Sequence, residues 1–141
     1  MMSLCILKYV QVFKVPEMKK IDIQKTKFTP SVLLDIANGL IEIKGDSLPE
    51  NTTEFYAPLL CEVQEYLKNP KEKTIVNLEL TYFNSSSSKL FFDFFDIFDE
   101  FENSKSIEIN WIFDSENENI EEAGEDFKDD FEDLNFNLII K

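Results

Sequence analysis

"TYFNSSSSKLFFDFFDIFDEF", Thr81 to Phe101, holds the junction whose reading decides the fold. The residues leading into it, "KTIVNLELTYF" (Lys73 to Phe83), read as a strand, with Ile75 and Val76 followed by Leu78, Leu80 and Tyr82 in alternation. Beyond it the period changes. Phe91, Phe94, Phe95, Phe98 and Phe101 share one helical face, with Asp93, Asp96, Asp99 and Glu100 largely on the others. Between strand and helix stand Asn84 and the serines Ser85, Ser86, Ser87 and Ser88. A strand that runs into a helix through a polar junction is the repeating step of an α/β layer.

Working outward, "SVLLDIANGLIEIKG" (Ser31 to Gly45) reads as two strands, with Val32, Leu34 and Ile36 alternating, an Asn38-Gly39 tight turn, and a return strand from Leu40 to Lys44. The following helix can be capped by Asn51, Thr52 or Thr53, carries the stripe Phe55, Leu59, Leu60, Val63 and Leu67, and ends at Asn69-Pro70. Pro58 falls near its first turn, where a missing N–H matters little. "SIEINWIF" is another strand, and "ENIEEAGEDFKDDFEDL" is an acidic helix with Ile120, Phe127 and Phe131 inward. Gly124 is expected to weaken its middle by up to about 1 kcal/mol relative to alanine. "FNLIIK" closes the chain as a strand. The order ββαβαβαβ predicts an α/β fold, a single mixed β-sheet of about five strands with three main helices.

The 141 residues suit one domain, divided here into an N-terminal extension (residues 1–27) and the domain proper (28–141), with Met18 as an alternative start. The formal net charge of −14 repels phosphate backbones and anionic lipid, which argues against nucleic-acid and membrane-surface partners. The opening "MMSLCILKYVQVFKV" is interrupted by Lys8, Gln11 and Lys14 and lacks the pattern of a signal peptide, and no run is long enough for a membrane span. Cys5 and Cys61 are too few for a disulfide framework; Cys61, inside an apolar helical pattern, reads as a small buried hydrophobe, and a cytoplasmic setting fits.

Enzymatic chemistry finds little support. The chain has no histidine to act as a base near neutral pH, its 3 glycines cannot build a phosphate-cradling loop, and no cofactor site is evident. Asp114, Glu116 and Glu118 alternate like the start of a calcium loop, but the glycine and spaced final glutamate of that loop are missing, so a solvated acidic face is the better reading and no metal is expected. Between Asp114 and Asp133 there are eleven acids and one base, Lys128, and acids such as Glu121, Glu125 and Asp129 could dock a basic patch.

The serines admit two readings. A serine or asparagine caps a helix by accepting an orphan amide hydrogen of its first turn. The same free N–H groups and the positive helix end would hold a phosphate formed on one of these hydroxyls, with Lys89 one turn in to help neutralise it. Phe92, turned outward beside the site, could anchor a partner.

The segments "TPSV" (Thr29 to Val32), "GDSLPEN" (Gly45 to Asn51), "FYAPLL" (Phe55 to Leu60), "YFNSSSSK" (Tyr82 to Lys89), "WIFD" (Trp111 to Asp114) and "EAGEDFKDD" (Glu122 to Asp130) together resemble the SiaC-type regulatory phosphoproteins. The resemblance implies a STAS-like (anti-sigma-factor-antagonist-like) fold and a non-catalytic, cytoplasmic partner switch. It implies a Ser/Thr protein kinase, a PP2C-type phosphatase, and an effector bound by the unphosphorylated form, a diguanylate cyclase that controls cyclic di-GMP and biofilm. By position the acceptor is Ser85, which follows Asn84, ahead of Ser86 and Ser87. Asn84, Ser86, Lys89 and Phe92, around that position, are the expected partner contacts. The alternative is an acidic module that binds a basic partner without phosphorylation.

Overall fold

The computed structural model describes residues 19–141. Six strands form one sheet in sequential order: β1 (Lys19–Ile23), β2 (Ser31–Asp35), β3 (Leu40–Ser47), β4 (Thr74–Phe83), β5 (Ile107–Phe113) and β6 (Asn135–Ile140). β1–β2 and β2–β3 pair antiparallel, and β3 to β6 run parallel. Helices α1 (Thr52–Tyr66), α2 (Ser85–Asp99) and α3 (Glu118–Asp130) are the crossovers between the parallel strands. The expected mixed sheet and its three helices are present, and the strand count is six rather than about five. The additional strand, β1, lies within residues 1–27; Cys5 and Met18 lie outside the described residues.

Parallel neighbours in sequential order, each joined by a right-handed crossover, place every helix on the same face. Alternation therefore sorts the strands. Ile41, Ile43, Val76, Leu78, Ile109 and Trp111 are buried on the helical side. The other side is polar, and one residue from each of four adjacent strands joins a hydrogen-bond ladder. Asn77 donates to Glu42 (3.3 Å), Asn110 to Asn77 (2.9 Å) and Asn137 to Asn110 (3.2 Å). On this side Lys141 also reaches Glu79 at 2.7 Å, which holds the Glu79 carboxyl below its ordinary range, aided by Lys44.

Aromatic packing ties the helices to the sheet. Phe95 of α2 lies 5.1 Å from Phe127 of α3, 5.2 Å from Phe136 of β6 and 6.4 Å from Trp111 of β5, mostly edge-on. The Trp111 indole N–H donates to the carbonyl of Ile120 at 2.8 Å. On α1 the buried stripe includes Tyr56 and Tyr66 beside Leu59 and Val63, while Phe55 and Leu60 are half-buried. Pro58 sits in the second turn of α1 rather than near its first, so the carbonyl four residues back loses its helical partner there. Cys61 is half-buried on α1 and is not a free thiol, which corrects its reading as a small buried hydrophobe.

Candidate functional site

The carboxyl ends of the parallel strands and the amino ends of the helices meet at one edge of the molecule, where open α/β sheets place their sites. The serines lie there. Strand β4 ends at Phe83 and all four serines are the first residues of α2. The cap is Asn84, whose side chain accepts from the Ser87 N–H at 2.9 Å. None of the serines caps the helix, so their hydroxyls are left for other work.

Those hydroxyls differ. Ser87 is fully buried, and its Oγ lies 2.8 Å from Ser47 Oγ and donates to the Ser47 carbonyl at 3.0 Å. Ser47, the last residue of β3, lies in turn 2.6 Å from the Tyr56 hydroxyl. Burial pushes the Tyr56 phenol far above its ordinary pKa, against a smaller lowering by its Ser47 hydrogen bond, so this group stays protonated. Ser86 is exposed, but its hydroxyl pairs with Thr52 at 2.8 Å and with the Asn84 side chain at 3.1 Å. Ser85 is exposed and makes no side-chain hydrogen bond among the described residues. Ser88 is half-buried.

The first turn of α2 is thus anchored on one side and open on the other. Ser87 and Ser86 tie it to β3 and to the start of α1, which Asn51 caps through the Glu54 N–H at 3.1 Å. The segment "GDSLPEN" is built for this contact. Gly45 takes a φ of +126°, which a residue with a side chain adopts only under strain, and the register of β3 shifts between Gly45 and Asp46, just before Ser47 meets Ser87. Asn117 joins α3 to the same edge. Its side chain caps that helix through the Ile120 N–H and also donates to the Thr81 carbonyl at 3.1 Å.

Of the expected partner contacts, Lys89 and Phe92 face outward: Phe92 is 41% exposed, and its ring lies 4.8 Å from that of Phe131. Lys89 stands 4.0 Å from Asp93, one turn along. Asn84 is occupied as the cap and Ser86 by Thr52, so both hold the site in shape. The buried chain Tyr56–Ser47–Ser87 was not foreseen from sequence, although the signal was there: two polar residues each flanked by elements with apolar periodicity. Among the described residues no group of three or more His, Cys, Asp or Glu side chains is placed to hold a metal ion.

Because the Ser47 hydroxyl serves two buried partners, Ser47→Ala leaves the Tyr56 hydroxyl without a partner and takes one of two from Ser87, which keeps the Ser47 carbonyl. The expected cost is about 1–3 kcal/mol, seen as a lower urea midpoint with an unchanged slope, whereas Ser86→Ala should change it little.

The chain is thus an α/β domain with one helical layer, whose hydroxyl-bearing start of α2 is pinned from beneath and open above. Residues 23–141 match the family model described as SiaC family regulatory phosphoprotein, and the chain belongs to that family. It is 30% identical over 114 residues to a protein of Pseudomonas aeruginosa strain UCBPP-PA14, a span of 80% of this chain and 90% of that one. The crystal structure of apo-SiaC from Pseudomonas aeruginosa is similar with a TM-score of 0.73 and 28% identity, over 86% of this chain and 97% of that one. A chain in the structure of the diguanylate cyclase SiaD in complex with its activator SiaC, also from Pseudomonas aeruginosa, is similar with a TM-score of 0.75 and 30% identity, covering 86% and 98%.

Proposed function

We propose that this chain is a non-catalytic partner switch whose state is set by phosphorylation of Ser85. A Ser/Thr kinase adds the phosphate, a PP2C-type phosphatase removes it, and the unphosphorylated form binds and regulates a diguanylate cyclase in the cytoplasm. The observation that carries the reading is the division of labour among the serines: Ser87 is buried, Ser86 is bonded, and Ser85 is exposed at the helix start with its hydroxyl unengaged among the described residues. The family's description as regulatory phosphoproteins, and a structurally similar chain bound to a cyclase as its activator, support it. A phosphate there would meet the orphan amides of the first turn and add about −1.5 to −2 charges at the exposed edge. No helix among the described residues is long and apolar enough to cross a membrane.

The test is phosphosite mapping by mass spectrometry on protein purified from its native cells in several growth states. Phosphate on Ser85 supports the switch; phosphate mapped reproducibly to another residue removes the assignment. An unmodified chain favours the second reading, an acidic module docking a basic partner, which the exposed carboxylates of Glu125 and Asp129 on α3 suit.

A further inference from the structure

The groove between α2 and α3 opens beside Ser85 and measures about 610 Å³. Each helix contributes one stripe. Ser85, Lys89 and Phe92 come from α2, at a spacing that keeps them on one face, and Ala123, Asp126, Phe127 and Asp130 come from α3 on the same rule. Seven residues of helix rise about 10 Å, so the groove runs along two turns of both helices. The apolar part is Phe92, Ala123 and the edge of the buried Phe127, Ser85 and Ser88 are neutral polar, and the charged part is Asp93, Asp126 and Asp130 against Lys89 alone. Three carboxylates against one ammonium leave an excess of two negative charges, and Lys89 is already within 4.0 Å of Asp93.

We propose that this groove receives a cationic amphipathic helix of a protein partner. Its apolar side chains would lie on Phe92 and Ala123, and its Lys or Arg side chains would reach Asp93, Asp126 and Asp130. Two parallel ridges with a groove between them are the shape a third helix packs into. Charge selects the occupant: a nucleic acid, an anionic lipid or a second copy of this chain, at −14, would be repelled. The recognising acids are Asp126 and Asp130 at the groove rather than Glu125 and Asp129 on the outer face of α3. Naming the effector as the owner of this helix rests on the switch reading. On that reading a phosphate on Ser85 would evict the helix by its bulk, because its charge alone would attract a cationic segment.

The test is a titration of the ¹⁵N-labelled chain with a 15-residue leucine–lysine amphipathic peptide, followed by amide shifts, with a leucine–glutamate peptide as control. The expected shifts cluster in Ser85 to Phe92 and Ala123 to Asp130. Affinity should fall roughly tenfold between about 0.05 and 0.5 M salt, because a screened surface pair weakens over that range. Asp126→Asn/Asp130→Asn should weaken binding by a similar factor with an unchanged unfolding midpoint, while Glu125→Gln/Asp129→Asn should leave it unaltered. Shifts centred on Glu121, Glu125 and Asp129, equal binding by the Asp126/Asp130 variant, or no binding would each overturn the proposal. The titration needs no phosphate. An unmodified Ser85 in cells would therefore remove the switch and leave the groove standing, and scattered shifts beside a phosphorylated Ser85 would do the reverse.

Discussion

On the proposed switch, Ser85→Ala is expected to abolish phosphate incorporation and leave the unfolding midpoint where it was; Ser87→Ala is expected to do the opposite. The first residue of α2 is exposed and unengaged among the described residues, so losing its hydroxyl should move stability by no more than about 0.5 kcal/mol. The third is fully buried and bonded to both the hydroxyl and the carbonyl of Ser47. Removing it takes a buried hydrogen bond each from the Ser47 hydroxyl, which keeps Tyr56, and the Ser47 carbonyl, which keeps the Asn84 N–H, and should cost about 1 kcal/mol, while the Ser85 hydroxyl stays in place. The readouts are ³²P incorporation by the proposed kinase and a urea melt on each variant. Ser86→Ala is the informative control. It should keep the phosphate, and a loss there equal to that of Ser85→Ala would mean that the kinase reads the Ser86–Thr52 pair rather than the Ser85 hydroxyl. Incorporation unchanged in Ser85→Ala would sink the assignment outright.

The contrast among these serines shows what a sequence can and cannot carry. The change from strand to helix at Asn84 was legible because two periods meet there: alternation up to Phe83, then Phe91, Phe94, Phe95 and Phe98 at helical spacing. The outward turn of Phe92 followed from the same arithmetic, and it is 41% exposed. Identical side chains in a row carry no such signal. Which serine is buried depends on Ser47, 40 residues upstream, and on the shift of strand register at Gly45 that sets where Ser47 falls. β1 escaped notice because "KKIDI" is short and charged, and only its pairing with β2 makes it a strand. The asparagine ladder was equally silent: Asn77, Asn110 and Asn137 are poor strand formers singly, and their benefit appears once parallel pairing sets them side by side.

Gly124→Ala, a change that strengthens most helices, is expected to destabilise this protein. In an exposed helix alanine gains about 1 kcal/mol over glycine, and by that rule alone Gly124 is a weak point in α3. Packing reverses the sign. Gly124 is buried, and a Cβ built on it would lie 2.4 Å from Cδ1 and 2.6 Å from Nε1 of Trp111, with Leu138 Cδ2 at 2.9 Å. The indole cannot retreat easily. It is 1% exposed, its N–H is bound to the Ile120 carbonyl one turn back along α3, and the rings of Phe83, Phe95, Phe127 and Phe136 lie within 6.4 Å. Either α3 lifts or the tryptophan shifts, and overpacking of this kind costs about 1–3 kcal/mol, more than the helix gains. For a domain of this size that is a fall in Tm of several degrees. Trp111 is the only tryptophan, so its emission should shift to the red in the folded variant, reporting the same displacement. The decisive comparison is a double-mutant cycle. In a Trp111→Val background, which has no δ atom to meet the Cβ, Gly124→Ala should cost less or even stabilise, a coupling of about 1 kcal/mol or more. If Gly124→Ala instead raises Tm in the native background, helix propensity governs position 124 and the close approach of α3 to Trp111 is not what this glycine provides.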